Sequence, residues 1–246
     1  MNYQNNGSWD ARTYDQVSYL VQYKWGQQVL EWRKWHGNEI VMDAGCGSGL
    51  LAKQLAKKVP RGKVYAVDID SNMIKQARNN LQLFDNVEII QSSFTDIKLP
   101  QKLDVIFSNS ALHWVQDHRK AFQAFWDMLK PSSNNKNKDT AVSSNNAGNI
   151  SSSQLLIQCG GYGNLQQIIT LLERITNLDQ FRAYFKNWKQ TFAKSDDTDK
   201  LLKEIGYENR RVYSNRDCVI LPNRRVYSRF IKTVVAKTLS RMPVTR

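Results

Sequence analysis

Cysteine is scarce in this chain of 246 residues: Cys46, Cys159 and Cys218 are odd in number and are not spaced as metal ligands. That pattern argues against a disulfide framework and a zinc site, and predicts free thiols. Long apolar runs are missing too. None approaches the roughly 18 to 20 residues that a membrane span needs, so no membrane partner is expected. The N-terminus has no basic-then-apolar leader pattern, which makes the cytoplasm the default expectation. Histidines number only three, His36, His113 and His118. Acids are short as well, 22 against 35 basic side chains, for a net charge of +13. The imbalance is concentrated late, since residues 132–246 hold 19 basic and 9 acidic side chains. A positive field there suits an anionic small molecule, an acidic carrier protein or nucleic acid, although no RNA-binding module signature accompanies it.

What is present begins with a glycine cluster. Val41-Met42-Asp43-Ala44-Gly45-Cys46-Gly47-Ser48-Gly49 follows a short apolar run, Ile40 to Ala44, fit for a buried parallel strand. Leu51, Leu55 and Val59 then recur with lysines between them, as an amphipathic helix from Leu50 to Val59 requires. Glycine at such a strand-to-helix junction takes positive φ and lets backbone approach a ligand closely. The spacing selects the cofactor. A dinucleotide fingerprint is G-x-G-x-x-G, whereas this loop reads Asp-x-Gly-x-Gly-x-Gly. A second β-branched run, Lys63 to Asp68, ends in a carboxylate 19 residues beyond Gly49, the distance at which a βαβ unit sets an acid beside a ribose.

This loop resembles the first motif of class I S-adenosylmethionine-dependent methyltransferases, and Val67 to Met73 is similar to their second. The resemblance implies a Rossmann-like, doubly wound, mostly parallel α/β sheet. Asp43, Gly45, Cys46, Gly47 and Gly49 would lie under the methionine and ribose, Asp68 would take the ribose hydroxyls, and Ile69 and Met73 would flank adenine. At the exit of the third strand, Val87 to Phe94, the family carries an acid for the adenine amino group. Ser93 stands at that position here, a weaker acceptor, with Phe94 as backbone donor and apolar wall. Asp96 is the nearest acid, three residues out of register.

The fourth strand leads into Ser108-Asn109-Ser110-Ala111-Leu112-His113-Trp114. It has neither the Asn/Asp-Pro-Pro-aromatic tetrad of base-amino methyltransferases nor a Pro-Cys pair. The run resembles instead the small-molecule branch typified by trans-aconitate methyltransferases and the enzymes that form esters on acyl-carrier-protein substrates. Asn109 joins the cofactor set on this resemblance. Trp9-Asp10-Ala11, Tyr14 and Gln22 to Gly26 resemble the aromatic cap of that branch, with Tyr14 closing over the sulfonium. Aromatic faces attract an onium centre, so Tyr14, Trp25 and Trp114 are candidate walls of the reaction chamber, or else packing residues. His113 is a candidate base, a substrate hydrogen-bond donor, or a packing residue that positions Trp114.

One domain is expected, with a helical cap over 1–38, a cofactor core over 39–131 and 154–214, and a basic segment over 215–246. Residues 132–153 form a low-complexity insertion, 13 of 22 being Ser or Asn, and are expected to be disordered. Helices are predicted from Lys120 to Leu129, around Leu165 to Ile175 and from Thr198 to Ile205. The fifth strand is placed at Gln154 to Cys159 and a sixth near Arg210 to Tyr213. Tyr227 to Val235 resembles the branch's late helix. The final antiparallel strand of the family has no counterpart before Arg246, although Val219 to Leu221 offers a short substitute. These features imply transfer of a methyl group from S-adenosylmethionine to a small anionic acceptor, foremost a carboxylate oxygen, with Arg182, Arg224 or Arg225 as anion clamps. An RNA or protein methyltransferase docking through the basic segment, and a cofactor-binding protein without activity, remain the alternatives.

Overall fold

Five short runs of apolar, largely β-branched sequence pair as a wholly parallel sheet in the order β3-β2-β1-β4-β5 in the computed structural model. The structure describes residues 22–131, 153–179, 191–217 and 219–231. The strands are β1 (Ile40–Ala44), β2 (Lys63–Asp68), β3 (Val87–Gln91), β4 (Val105–Asn109) and β5 (Gln154–Gln158). Around them lie α1 (Lys24–Leu30), α2 (Leu50–Lys58), α3 (Ser71–Leu81), α4 (His118–Met128), α5 (Gln166–Thr176), α6 (Ser195–Ile205) and α7 (Arg224–Phe230). None of the described helices is long and apolar enough to cross a membrane.

The sheet is covered on both faces, as continuous apolar parallel strands require. On one face Val41, Val64, Ala66, Val105 and Phe107 meet Val29 and Leu30 of α1, Ala52 and Leu55 of α2, and Ile74, Ala77 and Leu81 of α3. On the other, Met42, Tyr65, Val67 and Ile106 meet Phe122 and Phe125 of α4 and Leu202 of α6. Each such Val, Leu, Ile, Met or Phe contributes about 1.5 to 3 kcal/mol when fully buried. Helices α3 and α4 start where side chains cap them. Asp70 accepts from the N–H groups of Asn72 and Met73 at α3, and Asp117 from Lys120 N at 2.9 Å, which starts α4 two residues before the expected Lys120. Likewise α6 begins at Ser195 rather than Thr198, with Asp196 and Asp197 in its first turn where the helix dipole favours acids.

The predicted sixth strand is not formed. Residues 210–213 run as irregular chain, because Asn209 turns the backbone to φ 50° and Arg210 is tied to Asp199 at 2.8 Å and to the Tyr207 carbonyl at 2.8 Å. Tyr213 instead packs its ring against Trp32 at 5.9 Å. Val219 and Leu221 are also outside any strand, and Ile220 is exposed. Among the described residues β5 is therefore an edge. The late helix forms as α7 with Asn223 as its cap; positions 232–235 of the expected helix, the insertion at 132–152 and the aromatic run at 181–188 fall outside the described residues.

Candidate functional site

The carboxyl edge of the sheet brings three polar side chains onto one face. Asp43 pairs in register with Ala66 of β2 and Phe107 of β4. Two residues further along those neighbours come Asp68 and Asn109, whose side chains share the Asp43 face by strand alternation. Asp43 is almost fully buried, and its Oδ2 has no partner among the described residues. Burial first, and then the charge of Asp68, raise its pKa to about 8. Asn109 donates from Nδ2 to the Gln22 carbonyl at 3.0 Å, while its buried Oδ1 is also without a partner among the described residues.

The glycine loop turns over these groups. Gly45 and Cys46 both donate to the Val67 carbonyl, at 2.9 and 3.0 Å, and Gly47 N donates to Asp68 Oδ2 at 2.8 Å. Gly45 has φ 81°, and a Cβ there would stand 2.4 Å from Ala111 Cβ, so the first and fourth motif loops touch only because this residue is glycine. Gly47, at φ 55°, differs. A Cβ on it would meet nothing nearer than Met73 Sδ at 4.0 Å, leaving open space above the loop. Asp68 Oδ1 accepts from Asp70 N at 2.9 Å. Its pKa is raised by burial, against the lowering pull of the Asp70 and Gly47 N–H groups. Ile69 is exposed beside it, while Met73 is buried under the loop. Cys46 is buried, and burial together with Asp43 and Asp68 pushes its thiol well up, so its contribution is through the backbone.

Past β4 the chain turns through Ser110, at φ 57°, which donates from its N–H to the Gln158 carbonyl at 2.8 Å and from Oγ to Gln158 Oε1 at 3.2 Å. No sequence signal singled out that pairing. It fixes the short 3-10 turn Leu112–Trp114, which carries His113. His113 is buried, stacked on Phe192 at 5.8 Å and next to Trp114 at 5.3 Å. Desolvation, then the neighbouring His118, lower its pKa to about 4. Its Nδ1 accepts from Gly160 N at 3.4 Å, which leaves the proton of the neutral ring on Nε2. An open cleft beside β5 is lined by Gln22, Trp25, Ser110, His113, Gln158 and Gly160. Asp43, Asp68, Gly47 and Asn109 lie outside it, and Ser110, next after Asn109, lines it.

Of the other expected residues, Phe94 borders the glycine loop, its Cε1 3.8 Å from where a Gly45 Cβ would stand, and the rest are held by other partners or lie on the surface. Trp25 lines the cleft, but its indole N–H is held by Asp217 Oδ2 at 2.6 Å. Phe94 faces inward, 5.4 Å from the Phe125 ring. Asp96 accepts from Lys120 Nζ at 2.6 Å and is mostly exposed. Arg224 and Arg225 are exposed on α7. Tyr14 and Arg182 fall outside the described residues.

The comparisons agree with this geometry. The methyltransferase domain family matches residues 41–132, from β1 through α4. This places a methyltransferase domain over residues 41–132, and the chain is similar to class I S-adenosylmethionine-dependent methyltransferases. A malonyl-[acyl-carrier protein] O-methyltransferase of Ilyobacter polytropus is 26% identical over 131 residues, covering 51% of this chain and 49% of that protein. An uncharacterized methyltransferase of Schizosaccharomyces pombe is 24% identical over 211 residues, 81% of this chain and 70% of the relative. The chain spans about half the length of the acyl-carrier-protein relative. Among solved structures, the phosphoethanolamine N-methyltransferase 2 of Haemonchus contortus in complex with S-adenosyl-L-methionine shares the fold with a TM-score of 0.57. That likeness is at 17% identity and covers 81% of this chain and 41% of the other.

S-Adenosylmethionine is the cofactor of this family, and the residues present fit it. The open space above Gly47 admits a ligand, Asp68 retains lone pairs for ribose hydroxyls, and two buried oxygens, on Asp43 and Asn109, await donors.

Proposed function

We propose that this chain transfers a methyl group from S-adenosylmethionine to a small anionic acceptor, foremost a carboxylate oxygen. When bound, the cofactor supplies a methyl group on a sulfonium whose departure as a neutral thioether needs no acid. Alignment and exclusion of water are then the protein's tasks. Asp68 holds the ribose, Asp43 and Asn109 accept from the ammonium of the methionine part, and Trp114 borders the chamber.

The carrying observation is the state of His113. A ring with pKa about 4, whose Nδ1 already accepts from Gly160, is a poor base and a good Nε2–H donor. Phenols, thiols and amines need a proton removed; a carboxylate does not. His113 therefore orients an acceptor that arrives as an anion. The acyl-carrier-protein O-methyltransferase relative supports the same chemistry.

A second reading rests on the exposed Arg211, Arg216, Arg224 and Arg225, which suit a polyanion such as RNA or the surface of an acidic protein. A labelled-methyl assay against small carboxylic acids, acidic carrier protein and total RNA separates the readings. Base-labile label on an acid supports ester formation. Base-stable label in RNA, or transfer to none of these by a cofactor-binding chain, contradicts it.

A further inference from the structure

We propose that Gln158 is a carboxylate-binding residue of the site: its side-chain amide donates from Nε2 to the carboxylate of the cofactor's methionine part or to that of the methyl acceptor. The inference rests on the function proposed above and adds a donor for one of its two anionic groups. In the sheet order β2-β1-β4-β5, Asp68, Asp43, Asn109 and Gln158 stand side by side along one face of the carboxyl edge. Asn109 pairs in register with Gln158, and Leu156, two residues before Gln158, packs in the same core layer as Phe107, two residues before Asn109. Neighbouring strands lie about 4.8 Å apart, so the row continues past Asn109 by one such step. Asp68, Asp43 and Asn109 lie outside the open cleft, whereas Gln158 lines it.

The row changes its hydrogen-bonding sense at Gln158. Asp68 and Asp43 are carboxyl groups, and Asn109, whose Nδ2 is spent on the Gln22 carbonyl, has its Oδ1 left over. These three present acceptors, which suit ribose hydroxyls and an ammonium. Gln158 is turned the other way by Ser110. The Ser110 N–H donates to the Gln158 carbonyl at 2.8 Å and its Oγ to Gln158 Oε1 at 3.2 Å, so the amide oxygen lies on the Ser110 side. In a planar amide Nε2 then faces away from Ser110, and it has no partner among the described residues. A donor beside an ammonium site calls for an anion. The methionine carboxylate shares a carbon atom with that ammonium, and an acceptor in the cleft borders the same side chain.

Gln158→Met keeps the length of the side chain and removes the donor, and hydrogen bonds to charged groups change affinity by roughly ten- to a hundredfold. Calorimetry on the full chain would compare S-adenosylhomocysteine with its decarboxylated analogue, and a labelled-methyl assay would give KM for acetate, succinate, citrate and benzoate. If the amide holds the methionine carboxylate, the variant loses about tenfold or more in affinity for S-adenosylhomocysteine yet binds the analogue as the wild type does, which also shows that it is folded. If it holds the acceptor, S-adenosylhomocysteine affinity stays within about threefold while KM for the acid that the wild type methylates rises about tenfold or more. Neither loss, or equal loss of S-adenosylhomocysteine and its analogue, would overturn the proposal. Ser110→Ala, which releases the amide oxygen, should weaken the same binding to a smaller extent; tighter binding would show that the amide is turned the other way and would overturn the assignment. A wild type that binds S-adenosylhomocysteine but methylates none of the acids removes the acceptor reading and leaves the first arm to decide. If the wild-type chain does not bind S-adenosylhomocysteine at all, the cofactor reading fails first and carries this proposal with it.

Discussion

Replacing Asp43 by Asn keeps the side chain's shape and removes its titration, which makes a quantitative test of the site's electrostatics. Asp43 is almost completely buried and holds its proton up to about pH 8, against about 3.9 for an unfolded aspartate. Between those values the native state binds one proton more than the unfolded state, so rising pH destabilises the fold. The slope for this group is about 1.4 kcal/mol per pH unit through the interval from roughly pH 5 to pH 8. The titratable groups facing it, Asp68 and the Cys46 thiol, are both raised and act in the same direction, so the difference between proteins is the informative quantity. Urea unfolding at pH 5, 6, 7 and 8 should show the wild type losing stability relative to Asp43→Asn with about that slope. Parallel stability curves for the two proteins would refute an Asp43 that is protonated in the native state. The same charge logic governs binding. A ligand ammonium selects the ionised carboxylate, so S-adenosylhomocysteine should release a proton on binding near pH 6 and bind more tightly as pH approaches 8.

Three further outcomes follow from the same geometry. Gly47→Ala places a methyl in the space above the loop, where among the described residues, chain neighbours aside, Met73 Sδ at 4.0 Å is the nearest atom. It should cost only about 1 to 2 kcal/mol for the left-handed backbone yet abolish S-adenosylhomocysteine binding, as paired thermal and calorimetric measurements would reveal. His113→Gln should weaken transfer to an anionic acceptor without altering the pH profile between about 5.5 and 8, because His113 is neutral throughout that range; a limb near pH 6 to 7 that vanishes in the variant would contradict this. Phe125→Ala, which empties a fully buried position under β4 and beside Phe94, should cost about 3 to 5 kcal/mol in denaturant unfolding.

The parts of the site that could be read in the sequence are those encoded by local spacing. Asp43 to Gly49 and Lys63 to Asp68 carry their strand-to-helix geometry within a few residues, and the structure forms both as expected. Ser108 to Trp114 was legible as a strand running into a turn. Features that depend on long-range pairing were not. Ser110 meets Gln158 across 48 positions, Asn109 meets Gln22 across 87, and Trp25 meets Asp217 across 192. A sixth strand is expected near Arg210 to Tyr213, but the sequence does not show that Arg210 is claimed by Asp199 or that Asn209 takes a positive φ. Ser93 follows β3, and its hydroxyl is paired with Thr95 Oγ1 and the Thr95 N–H, a pairing that spacing does not encode.

Asp68 bears most directly on the central claim, since the cofactor reading requires its carboxylate to serve a ribose as well as the Gly47 and Asp70 N–H groups. Calorimetric titration of S-adenosylmethionine into the wild type and into Asp68→Asn would measure that requirement. Saturable one-site binding by the wild type, weakened about tenfold or more in a folded Asp68→Asn, is the expected result. No binding by the wild type at millimolar cofactor, or equal affinity in the two proteins, would contradict the account.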